Sequence, residues 1–103
     1  MDRPSTLTTL DGQTAVQMAA LFDSLSDPTR LRILAALMSG EANVGDLVQV
    51  VGLSKSAVSH QLRSLRDKRV IRTRKQGRQV YIELDDEHIA ELFHRGLDHI
   101  RHG

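Results

Sequence analysis

Cysteine is absent from this 103-residue chain, which excludes disulfides, thiolate metal sites and thiol redox chemistry. Aromatic residues are scarce: Phe22, Tyr81 and Phe93 are the whole set, too few for a surface that grips single strands by stacking on their bases. No apolar run is long enough to cross a bilayer, and no charged-then-apolar signal opens the chain. The expectation is a soluble cytoplasmic protein with no membrane partner. The length suits one small domain, whose modest core would gain from burying apolar surface against a second copy.

A large net charge is also missing, at +1, but the balance hides an asymmetry. Residues 55–78 hold nine Lys/Arg against the single acid Asp67, a net +8. Everything else holds five against twelve, a net −7. Basic charge gathered into one segment is the footprint of a nucleic-acid binder.

The pattern around that segment is helical. Residues 1–10 are polar and unpatterned and read as a flexible arm, with a single domain over 11–103. Ala15, Met18, Ala19, Leu21 and Phe22 predict a first helix over 12–24. Asp27 as cap and Pro28 at the first helical position start a second, running to Gly40. A third spans about 44–50 and ends at Gly52. Ser54 caps a fourth over 55–67, whose buried stripe is Val58, Leu62 and Leu65. Val70–Lys75, the turn at Gln76-Gly77, and alternating Val80, Ile82 and Leu84 predict a β-hairpin with a basic tip of Arg72, Arg74, Lys75 and Arg78. A last amphipathic helix closes the chain. No repeat, low-complexity segment or linker interrupts it.

Helices three and four read as a helix-turn-helix. With the apolar stripe turned inward, helix four presents Ser56, His60 and Arg63, flanked by Lys55 and Ser59. Short polar side chains let a helix sink into the major groove and reach base edges. Ser54 and the helix N-terminus can meet phosphate, and the hairpin tip would add salt-sensitive backbone contacts. The partner expected is double-stranded DNA.

The last helix carries a second pattern, Asp86-x-His88-x10-His99-x2-His102. Carboxylate plus imidazoles suits zinc and its neighbours, so cobalt and nickel fit as well. At ~1.5 Å per residue His88 and His99 stand about 16 Å apart, too far for one ion to bridge along one helix. Eleven residues nevertheless return to almost the same azimuth, and His102 shares it at i+3. An antiparallel second copy would bring Asp86 and His88 of one chain to His99 and His102 of the other, twice per homodimer. Asp86 falls where the helix begins, so helical azimuth does not bind it. His94 lies off the shared edge among charged residues and reads as a solvated side chain.

Two stretches, Leu25-Ser26-Asp27-Pro28-Thr29-Arg30-Leu31-Arg32-Ile33-Leu34 and Leu53-Ser54-Lys55-Ser56-Ala57-Val58-Ser59-His60-Gln61-Leu62, resemble the hallmarks of the ArsR/SmtB family, bacterial winged-helix repressors that sense metals as homodimers. The likeness runs from about residue 15 to the end. It implies a mainly α winged helix-turn-helix fold with a β-hairpin wing, operator DNA as partner, and no enzymatic activity. The terminal pattern resembles the last-helix zinc site of the SmtB/CzrA-like branch, which places metal roles on Asp86, His88, His99 and His102. It also implies a hydrogen bond from a ligand histidine toward Arg66 and Asp67. One departure matters: where many members carry Glu-Leu-Cys-Val-Cys-Asp-Leu, this chain has Glu41-Ala42-Asn43-Val44-Gly45-Asp46-Leu47. The family's softer, thiolate site is therefore not expected. No histidine precedes His60, which favours a four-coordinate ion. A dimeric DNA-binding protein without sensing is the alternative; a metal-dependent hydrolase lacks a second polar catalytic cluster.

Overall fold

Among the described residues, each of the five helices opens on a side chain that accepts from the backbone three residues on. The residues are Asp11, Asp27, Asn43, Ser54 and Asp86, bonded to the amides of Thr14 (2.7 Å), Arg30 (3.0 Å), Asp46 (2.8 Å), Ala57 (3.1 Å) and Ile89 (3.2 Å). Such caps satisfy amides that helix geometry leaves unpaired, each worth roughly 0.5–2 kcal/mol over alanine. They set the boundaries in this computed structural model, which describes residues 7–103: α1 Gly12–Leu25, α2 Pro28–Leu37, β1 Ala42–Asn43, α3 Val44–Val51, α4 Lys55–Asp67, β2 Ile71–Gln76, β3 Gln79–Leu84 and α5 Glu87–His102. The first six residues of the expected arm lie outside the described residues; positions 8–11 have no regular structure.

Helix ends are equally local. α2 stops at Leu37, three residues before the expected Gly40, in a turn closed by Gly40 N–H to Leu37 C=O. Gly52 ends α3 in the left-handed region, φ 74°, and donates to Val48 C=O. α4 closes with Val70 N–H bonded to Leu65 C=O and Arg69 N–H to Arg66 C=O, a Schellman arrangement with Arg69 at φ 59° where glycine is usual.

The sheet has the order β1-β3-β2, all antiparallel. The hairpin matches the expected wing. β1, only two residues long, was not foreseen; it pairs Ala42 with Ile82 and Asn43 with Tyr81. One apolar core joins the parts. α2 contributes Ile33, Leu34 and Leu37; α3, Leu47 and Val51; α4, Val58, Leu62 and Leu65; and Val70, Ile71, Ile82 and Ile89 complete it.

α1 and α5 reach beyond this core, giving the chain extents of 63 × 31 × 21 Å. α1 buries only Ser24 and leaves Val16, Met18 and Phe22 exposed; α5 buries only Ile89 and leaves Ile100 82% exposed.

Candidate DNA interface and metal-ligand set

α3 and α4, joined through Gly52, Leu53 and the Ser54 cap, form the helix-turn-helix. Lys55, Ser56, His60 and Arg63 are exposed along α4, opposite the buried Val58, Leu62 and Leu65. Ser59 differs from its expected neighbours: it is half-buried and lines a crevice between α4 and the hairpin with Arg63, Arg66, Thr73 and Val80.

The position of α4 is held from α2. Arg30 donates through Nε to Gln61 Oε1 at 2.8 Å and through Nη1 to the Ser24 carbonyl at 3.1 Å, so one guanidinium ties the end of α1 to α4. Arg32 donates to the Val50 carbonyl near the end of α3. Neither role was read from the sequence. The available signal was Gln61, a polar residue beside the buried stripe and so in need of a partner.

The wing is less free in charge than its composition suggests. Arg72 pairs with Glu83 across the strands at 2.7 Å. Arg74 pairs with Glu41 at 2.6 Å, bonds Gln76, and lies 4.9 Å from the centre of the Tyr81 ring. The Glu41 hydrogen bond raises the already high pKa of the Arg74 guanidinium. β1 is what brings Glu41 there, 33 residues away in sequence. Lys75 and Arg78 are exposed at the tip and have no ion pair among the described residues.

The four expected ligands divide between the two ends of α5. Asp86 caps the helix through Oδ1, and His88 Nδ1 stands 3.6 Å from that oxygen. His99 and His102 lie in the last turn. All four side chains are exposed, and among the described residues no hydrogen bond occupies the three imidazoles. Within one chain no group of three or more possible ligands comes together among the described residues. That is the expected result for a set that one helix holds about 16 Å apart. His94 points elsewhere, its ring edge-on to Phe93 at 5.8 Å. Among the described residues of one chain no hydrogen bond joins α5 to the Arg66–Asp67 end of α4; those two residues form a long pair with each other, 3.9 Å.

Beside the histidine edge runs an apolar groove of about 650 Å³ between α2 and α5. Leu31, Leu34, Ile89, Leu92, Phe93, Leu97 and Ile100 line it, and His99 sits among them.

A helix-turn-helix with a polar outer face, followed by a two-stranded wing, defines a DNA-binding regulator of the winged-helix class. The chain belongs to the arsR family of bacterial regulatory proteins, whose model matches residues 27–73. That family consists of transcriptional regulators and not enzymes. The chain is 46% identical over 87 residues to a Transcriptional repressor SmtB homolog of Synechocystis, covering 84% of this chain and 66% of that protein. It is 40% identical over 101 residues to the regulator NmtR of Mycobacterium tuberculosis, covering 98% and 82% respectively. The solution structure of apo-NmtR superposes with a TM-score of 0.79 over 94% of this chain and 82% of that one, at 38% identity. A homodimeric winged helix-turn-helix domain from Mycobacterium bovis superposes with a TM-score of 0.76 at 26% identity, over 89% and 87%. No helix among the described residues is long and apolar enough to cross a membrane.

Proposed function

We propose that this protein is a zinc-responsive transcriptional repressor: a homodimer that binds operator DNA when metal-free and releases it when metal joins its two last helices. The observation that carries the reading is the division of Asp86/His88 and His99/His102 between opposite ends of one helix whose neighbouring apolar surface is uncovered. An antiparallel copy of α5 covers that surface and closes both four-residue sets together.

The donors fit the ion. One carboxylate and three imidazoles are a four-coordinate set, and Asp86 caps through Oδ1, leaving Oδ2. When bound, the ion would supply a link between the two last helices, a regulatory rather than catalytic role. Asp86 and His88 of one protomer would hold it together with His99 and His102 of the partner subunit. The exposed side chains of α4, namely Lys55, Ser56, His60 and Arg63, face the major groove, with Ser54 on phosphate and Ser59 at the crevice. Lys75 and Arg78 meet the backbone, joined by Arg72 and Arg74 as far as their acid partners release them. The likeness to an SmtB homolog, and the homodimeric state of a structural neighbour, support this reading.

Coupling between the sites is reciprocal, so zinc weakens DNA binding by the factor that DNA weakens zinc binding, typically ~5–150-fold. The test is operator affinity by fluorescence anisotropy at fixed salt, with and without zinc. Wild type and His94→Ala release DNA on adding zinc; His99→Ala binds DNA equally with and without it. Zinc-dependent release retained by His99→Ala overturns the proposal.

A further inference from the structure

The recognition helix α4 has a crevice on each side. One, against the wing, holds Ser59 and Arg66. The other, against α2, is lined by Arg30, His60, Arg63, Ser64, Asp67 and Lys68. A helix lying in a major groove about 12 Å wide has a phosphate backbone on either side. The wing can serve only one of them.

The two flanks differ in how their charge is held. On the wing, Arg72 and Arg74 are matched by Glu83 and Glu41. In the α2 crevice, Arg30 spends its hydrogen bonds on neutral acceptors, the Gln61 amide oxygen and the Ser24 carbonyl. Among the described residues its charge has no acidic partner, while its planar fork is fixed in place, leaving N–H groups on the same guanidinium available. Arg63 and Lys68 are exposed beside it, and the one acid, Asp67, leans toward Arg66.

We propose that the crevice between α2 and α4 is a second phosphate-binding site, in which Arg30 and Lys68 hold the DNA strand opposite the one met by the wing. It rests on the winged-helix reading and extends the DNA surface beyond the helix-turn-helix and wing. The contact is sequence-independent, so an arbitrary duplex probes it.

The experiment is anisotropy with a duplex of about 30 base pairs of arbitrary sequence, over a range of salt, on metal-free protein of verified helicity. Wild type gives the reference slope of log affinity against log salt. Lys68→Gln lowers affinity and makes the slope shallower by about 1. Asp67→Asn tightens binding. Arg30→Lys, which keeps the charge but loses the fixed fork, weakens binding at every salt. Because Arg30 also braces α4, Lys68→Gln and Asp67→Asn carry the test if Arg30→Lys loses helicity. Unchanged affinity and slope in both, with wild type binding normally, overturn the site. A wild type that binds no duplex at low salt overturns the DNA reading beneath it.

Discussion

Asp86 has two tasks that substitution can separate. Its Oδ1 caps α5 by accepting from Ile89, and its carboxylate completes the proposed ligand set. Asp86→Ala removes both and costs about 1 kcal/mol of stability by thermal or chemical unfolding. Asp86→Ser keeps a capping oxygen and so keeps most of that stability, yet loses the ligand. Zinc affinity falls alike in the two variants if Asp86 binds metal; full zinc affinity in Asp86→Ser removes it from the set. Asp11 is a simpler case. Its carboxyl is held below the usual aspartate range chiefly by the Thr14 amide. A lowered folded-state pKa means that this contribution is present above the ordinary aspartate value and lost as pH falls through the folded one. Helicity at the α1 end therefore frays on acidification, and Asp11→Asn, which caps without ionising, removes that dependence in residue-resolved amide exchange.

Among the elements, α4 shows strain at one end and α3 shows a fitted residue. Arg69 adopts φ 59°, a region costing an L-residue roughly 1–2 kcal/mol, partly offset for glycine by its freer unfolded chain. Arg69→Gly therefore stabilises the fold by about 0.5–1 kcal/mol. Gly52→Ala does the reverse, costing ~1 kcal/mol, and through the backbone alone, since a Cβ there meets nothing within 4 Å. Denaturant midpoints measure both. The same locality explains what could be read in advance. Helix starts were legible because Asp27, Ser54 and Asp86 announce themselves by residue type and position. The stripe of Val58, Leu62 and Leu65 gave α4 its inward face correctly. β1 was not legible, because two residues cannot display an alternation, and with it went the Arg74–Glu41 pair that β1 brings together. Arg30 was missed for a related reason: its partners, Ser24 and Gln61, lie on two other helices. The proposed ligand set was legible only as two halves, since geometry along one helix separates them.

For the whole molecule, the apolar surface that α1 and α5 leave uncovered would, in the proposed dimer, make stability a property of two chains. The unfolding midpoint rises with protein concentration, as for any fold completed by association. Ile100→Glu, at a site 82% exposed in the single chain, weakens the dimer in sedimentation. A monomer at all concentrations contradicts the arrangement. Leu62→Ala, by contrast, cuts into the core of each protomer and costs about 2–5 kcal/mol. The central claim is that each metal site is built from opposite ends of two α5 helices. Mixed dimers test it most directly. One chain carries Asp86→Ala with His88→Ala, the other His99→Ala with His102→Ala, and zinc binding is measured for each homodimer and for the isolated mixed dimer. Neither homodimer is expected to hold a tight site and each mixed dimer one, because one intact set is then reassembled across the interface. A mixed dimer that binds no zinc, or a homodimer that binds it as wild type does, contradicts it.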